Sequence, residues 1–154
     1  MQLGQYPDPG HTVAHLSDPH LLAGGVRQYG VIDTEAGLEL ALARLTRLDP
    51  LPQALVFTGD LADKAEPAAY ERLRAIVEPA AAAIGAAVVW VMGNHDERAA
   101  YSRALFGEES DATQDRVHDV ACLRVVSLVT TVPAHRSGEL TDAQRELIST
   151  LGGV

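Results

Sequence analysis

Three short apolar runs, TVAHLS at 12–17, ALVFT at 54–58 and VVWVM at 88–92, are separated from one another by stretches with helical periodicity. That alternation constrains the chain more than any other feature. Apolar runs of this length read as buried strands, and strands alternating with helices build βαβ units around a parallel sheet. The first helix is expected over 34–48, with Leu38, Ala41, Leu42, Leu45 and Leu48 on one face, stopped by Asp49-Pro50 and Pro52. The second opens at Pro67, turns Tyr70, Leu73, Ile76, Val77 and Ala80 inward, kinks at Pro79 and ends at Gly85. Beyond the third strand, the pattern predicts a short helix over 97–106, an acidic loop over 107–115 and a strand over 121–129. A last helix follows, opened by the capping-box spacing of Thr141 and Gln144, with Leu147, Ile148 and Leu151 inward. The fold class is α/β, one domain over 12–154 behind a loose arm, 1–11, punctuated by Pro7, Pro9 and Gly10.

What the chain binds is narrowed by its charge. It has 12 basic and 21 acidic residues, a formal net charge of −9, and Lys64 is its one lysine. No basic block offers the footprint that duplex nucleic acid requires. No apolar run approaches the ~20 residues of a membrane span, and the first residues lack the basic start and apolar stretch of a signal peptide. Cys122 is the single cysteine, so no intrachain disulfide can form; a reducing, cytoplasmic setting is expected, with Cys122 as core filler. An acidic protein that handles a small phosphate needs positive charge from elsewhere, and a metal can supply it.

In an open α/β sheet, ligands bind beyond the carboxyl ends of the strands. Strand one ends on Ser17-Asp18-Pro19-His20, strand two on Thr58-Gly59-Asp60 with Asp63 beyond, and strand three on Gly93-Asn94-His95-Asp96. Each alone is an ordinary turn; three in succession deliver oxygen and imidazole ligands to one sheet edge.

Asp18 and His20, two apart, point to one side of an extended chain and can chelate one ion. Asp60 has two oxygens and can bridge two ions, with Gly59 removing bulk beside them. Asn94 offers an amide oxygen to the second ion. This hard donor set suits Mn²⁺, Fe or Zn²⁺, and two such ions suit in-line attack on a phosphoryl centre. His95, next to Asn94, is better aimed at substrate oxygen as a general acid, with Asp96 steering its imidazole. Asp63 is expected to cap a loop or support a ligand from behind. Arg27 and Tyr29, in the loop after His20, are either substrate contacts or plain surface.

The pattern D-x-H, then GD, then GNHD resembles the calcineurin-like metallophosphoesterases. More narrowly, LSDPHLLAGGVRQYGVID, VFTGDLADKAEPAAYERLR and VWVMGNHDERA are similar to the class III bacterial 3′,5′-cyclic nucleotide phosphodiesterases. The resemblance covers about residues 12–150. It implies an αββα sandwich, a centre of two metal ions (Fe and Mn foremost, Zn as a further candidate) and hydrolysis of diesters such as cyclic AMP to the 5′-monophosphate. Asp18 and His20 match ligands of the first metal, Asp60 the bridging carboxylate and Asn94 a ligand of the second. His95 matches the substrate-contacting acid, and His20, Asp60, Asn94 and His95 together would hold the phosphate.

Two features depart from the family pattern. The family completes its centre with a further histidine and a GHxH motif later in the chain. Here only His118 and His135 follow His95, neither in a matching context, while His11 and His15 precede the motifs. His15, mid-strand, is expected to be a satisfied core residue. Val129 stands where relatives commonly carry aspartate, which should alter local support without removing a ligand. These 154 residues are accordingly expected to be the N-terminal portion of a longer domain, an incomplete sandwich with an unpaired sheet edge. Two alternatives stay open: a homodimer supplying ligands in trans, and a degenerate fold serving as a non-catalytic metal- or protein-binding scaffold.

Overall fold

The computed structural model describes residues 10–132 and 137–151. Most of the N-terminal arm, His135 and the last three residues lie outside that range. Three strands, β1 (Val13–Ser17), β2 (Ala54–Thr58) and β3 (Ala87–Trp90), form a parallel sheet in the order β1-β2-β3. Register pairs Val13 with Ala54 and Ala54 with Ala87, so the three strands finish level with one another. This is the α/β architecture expected.

Helices α1 (Thr34–Leu45) and α2 (Pro67–Ile84) connect the strands and cover one sheet face. Leu38 and Leu42 of α1, with Tyr70, Leu73 and Val77 of α2, pack on Ala14, Leu55, Phe57 and Trp90 in one core. The first helix stops a turn earlier than expected, at Leu45, leaving Leu48 45% exposed. The second runs as one helix across Pro79, which is exposed, so the ring displaces nothing packed and the carbonyl left without a partner faces water. Gly85 caps it at φ 69°, a left-handed turn that glycine adopts without strain.

The C-terminal part differs more from expectation. Residues 121–129 are not one strand: β4 (Arg116–Val120) and β5 (Leu123–Ser127) make an antiparallel hairpin, separate from the parallel sheet. The turn falls on Ala121 and Cys122, with Ala121 at φ 53°, and it contains no glycine or asparagine to announce it. Cys122 is therefore exposed at a hairpin tip, not core filler. The hairpin packs on α3 (Arg98–Phe106), where the Arg116 guanidinium lies 3.6 Å from the centroid of the Phe106 ring.

The last helix, α4 (Asp142–Leu151), has the capping box: Thr141 N–H donates to Gln144 Oε1 at 2.9 Å, and Gln144 N–H to Thr141 Oγ1 at 3.2 Å. Gln144 is its buried residue, bonded to Asp115 and to the carbonyl of buried Val129, whereas Ile148 is 45% exposed. A polar anchor docks this helix, beside the half-buried Leu147 and Leu151 of the expected apolar stripe. Among the described residues, β1 and β3 keep unpaired outer edges, and no helix is long and apolar enough to cross a membrane.

Candidate metal centre

The three parallel strands end beside one another, and backbone hydrogen bonds carry the pairing into the loops that follow. Asp18 N–H donates to the Thr58 carbonyl, His20 N–H to the Asp60 carbonyl and Leu21 N–H to the Leu61 carbonyl, each at 3.0 Å. Contrary to the extended conformation expected from the sequence, Asp18 and His20 sit in left-handed backbone. Both take positive φ, 54° and 44°, around Pro19. Such left-handed backbone is costly for residues with side chains and persists where the surroundings enforce it, commonly at functional sites.

Two glycines make the close approach of these loops feasible. A Cβ on Gly59 would overlap the Asp18 carboxylate, and Gly59 also has φ 81°. A Cβ on Gly93 would overlap the Asp60 carboxylate and backbone. Each motif glycine thus clears space for a carboxylate delivered by the neighbouring strand.

His20, Asp60 and His95 each present one donor atom, all within 4.8 Å of one another. His20 Nε2 and His95 Nε2 both lie 3.8 Å from the same oxygen, Asp60 Oδ2. That is too far for a hydrogen bond and close enough to share a cation. Both imidazoles are fixed from behind by Asp63. His95 Nδ1 donates to the Asp63 carbonyl at 2.8 Å, an oxygen that can only accept, so the hydrogen is on Nδ1 and neutral His95 keeps its Nε2 lone pair free. His20 Nδ1 lies 3.1 Å from Asp63 Oδ1, which also accepts from the buried Gln28 amide at 3.1 Å. Carboxylate and carbonyl support of this type sets the tautomer that a metal requires.

Charge points the same way. Asp60 Oδ1 accepts the His95 backbone N–H at 2.9 Å and Asp18 Oδ1 the Asp60 N–H at 3.3 Å. Among the described residues no Lys or Arg pairs with Asp18, Asp60 or Asp63; only the two histidines approach. Clustered carboxylates without basic partners, facing two lone-pair nitrogens, fit a cation and little else. The His95 imidazole is held above its ordinary pKa by the Asp63 carbonyl and by the charges of Asp60, Asp63 and Asp96, against a smaller opposing effect of burial.

Asp96 does not steer His95. Its carboxylate accepts the backbone N–H groups of Leu61, Ala62 and Gly93, at 3.0, 3.0 and 2.8 Å, and the Tyr70 hydroxyl at 2.8 Å. Those four donors occupy its oxygens, and the Asp63 carbonyl orients the imidazole instead. Burial pushes Asp96 up from the usual carboxylate range while the hydrogen bonds pull it back. Asn94 is exposed at the same turn, lining a cleft beside the three donors.

The other described histidines stand apart. His15 is exposed and bonded to Thr58 Oγ1 at 2.7 Å, not a core residue; His11 meets Gln53 at 2.8 Å; His118 is half-buried on β4. Arg27 faces Asp33 at 3.7 Å, and Tyr29 is 85% exposed. Sequence reasoning missed Gln28 and Tyr70, whose partners lie far along the chain.

Residues 11–149 match the family model described as calcineurin-like phosphoesterase. The chain belongs to that family. It is 46% identical over 145 residues to a cAMP/cGMP dual specificity phosphodiesterase of Mycobacterium tuberculosis, covering 94% of this chain and 46% of that protein. A probable cyclic nucleotide phosphodiesterase of Rhodococcus erythropolis is 45% identical over 141 residues, 91% of this chain and 46% of the relative. A 3′,5′-cyclic adenosine monophosphate phosphodiesterase of Pseudomonas aeruginosa is 34% identical, over 92% of this chain and 49% of its own. This calcineurin-like phosphoesterase chain thus spans about half the length of these relatives.

Proposed function

We propose that this phosphoesterase acts as a metal-dependent phosphodiesterase on 3′,5′-cyclic nucleotides, releasing the 5′-monophosphate. The observation that carries this is the convergence of His20 Nε2, Asp60 Oδ2 and His95 Nε2 at the carboxyl ends of three parallel strands. The names of the relatives supply the substrate class.

Asp18 and His20 would hold a first ion, Asp60 would bridge and Asn94 would serve a second, with Fe and Mn favoured by the oxygen and imidazole donors and Zn²⁺ compatible with them. When bound, such ions neutralise phosphate charge and activate water. The chain's own groups then do the rest. With such ions in place, Asn94, His20 and Asp60 would surround the phosphate position. Asp63 locks both imidazoles, so that His95 Nε2 faces the leaving oxygen, the place a general acid must occupy. A proton delivered there converts a basic ribose alkoxide into a neutral hydroxyl.

We take residues 12–154 as the N-terminal portion of the phosphoesterase domain, with later residues or a second copy of the chain completing the ligand set. A cytoplasmic setting accords with the exposed free Cys122. The test is hydrolysis of cyclic AMP, cyclic GMP and a panel of other diesters by the protein expressed from its full reading frame, with Mn²⁺ or Fe²⁺ supplied. Metal-dependent release of 5′-monophosphate supports the assignment. Metal binding without turnover of any diester would favour the scaffold alternative.

A further inference from the structure

We infer that the cleft on the far side of the Gly93–Asp96 turn is the subsite for the nucleoside of the substrate, with Arg98 setting its affinity; this rests on the phosphodiesterase function proposed above. The cleft holds about 350 Å³ and is lined by Met92, Asn94, Arg98, Asp111, Thr131 and Val132 among others. That volume falls within the ~300–1,000 Å³ of small-molecule sites.

Arg98 is half-buried at the first position of α3. Its one hydrogen bond among the described residues is a long one, Nη2 to the Thr131 carbonyl at 3.4 Å. Among the described residues no carboxylate pairs with it, although acidic residues flank it. Asp96 is committed to its four donors, and Glu97 gives its oxygens to the Ala99 and Ala100 N–H groups at 3.0 and 2.8 Å. Arg27, Arg72, Arg74, Arg103, Arg116 and Arg124 all have acidic partners. A guanidinium left without one in a cleft is available to a ligand.

Geometry decides which part of a ligand it meets. His20, Asp60 and His95 do not line this cleft, whereas Asn94 does. A molecule with its phosphate at those three donors that extends past Asn94 therefore delivers its other end to Arg98. In a cyclic nucleotide the single negative charge stays on the phosphate, so the part arriving is neutral ribose and purine. A purine edge presents ring-nitrogen acceptors to the guanidinium fork, which can also stack on the ring face, and Met92 and Val132 offer apolar contact.

The experiment compares wild type, Arg98→Ala and Arg98→Lys in the Mn²⁺-supplied protein from the full reading frame. Steady-state kinetics are measured on cyclic AMP and on bis(p-nitrophenyl) phosphate, which has no nucleoside. Calorimetric titrations with 5′-AMP and with inorganic phosphate run in parallel. Arg98→Ala should raise KM for cyclic AMP about tenfold, the worth of one hydrogen bond from a charged donor. Its kcat, and both constants for the nitrophenyl diester, should stay within a factor of about two. Affinity for 5′-AMP should fall while that for phosphate holds, and Arg98→Lys should restore part of it. Equal losses on both diesters, or none on either, would overturn the subsite. If no diester is cleaved, the function proposed above fails, and the 5′-AMP and phosphate titrations still decide the subsite by themselves.

Discussion

The Tyr70 hydroxyl donates to the Asp96 carboxylate at 2.8 Å, and this bond ties the first turn of α2 to the turn that carries Asn94 and His95. The same carboxylate holds the N–H groups of Leu61 and Ala62, directly after Asp60, and of Gly93. Asp96 therefore sets the spacing between the loops after β2 and β3. Tyr70→Phe removes one donor and should cost about 1–3 kcal/mol, read by urea unfolding. Asp96→Ala strands three buried N–H groups, so it should cost more and weaken metal binding as well. An Asp96→Ala protein as stable as wild type would contradict this role.

Alkaline titration gives a second prediction. Burial, then the Asp96 charge, raises Tyr70 far above the usual phenol range, and burial raises Tyr101 as well. For an acid whose pKa is raised on folding, the native state keeps its proton longer than the unfolded chain. Stability from this source is complete below the unfolded value of ~10 and falls as pH rises past it. Neither phenol should ionise reversibly in the native protein. Ultraviolet difference titration of Tyr70→Phe should thus show the same reversible tyrosinate amplitude as wild type, and a smaller amplitude would contradict the burial argument.

Gly93→Ala should behave unlike an ordinary surface substitution. Its Cβ would meet the Asp60 carboxylate and the backbone of Gly59 and Asp60, none of which is the free end of a flexible chain. The strand ends must separate, at a cost of about 1–3 kcal/mol. Mn²⁺ affinity, measured by calorimetry, should fall with stability. Unchanged affinity would mean that the loops are not held at contact distance.

The parallel core was legible because its signal is local: apolar runs, helix stops and ligand residues sit at fixed places in the sequence. The clustering of His20, Asp60 and His95 was legible for the same reason, since each lies within a few residues of a strand end. The hairpin was not, because its turn at Ala121-Cys122 carries neither glycine nor asparagine. Adjacency in sequence points Asp96 at His95, but its partners come from Leu61, Ala62 and Tyr70, some 26 to 35 residues away. The sequence suggests only a capping or supporting role for Asp63, and its carbonyl, which no side-chain pattern reveals, is the group that orients His95.

His95 and His20 should separate by readout. Both have Nε2 at 3.8 Å from Asp60 Oδ2, so geometry alone makes either a metal ligand. His95 as the acid means that His95→Ala keeps its metal and loses ~10²–10⁴ in turnover of cyclic AMP. The loss should shrink for a nitrophenyl diester, whose leaving oxygen hardly needs a proton. His20→Ala should instead lose metal and slow both substrates together. Metal loss in His95→Ala would make it a ligand.

The most direct test is the metal content of wild type and Asp60→Ala, expressed from the full reading frame and measured by plasma mass spectrometry. A carboxylate shared by two ions predicts two Fe or Mn per chain in wild type and less than one in Asp60→Ala, with diester hydrolysis lost in parallel. Two ions retained in Asp60→Ala, or none in wild type after loading with Mn²⁺ and Fe²⁺, would contradict a metal centre built around Asp60.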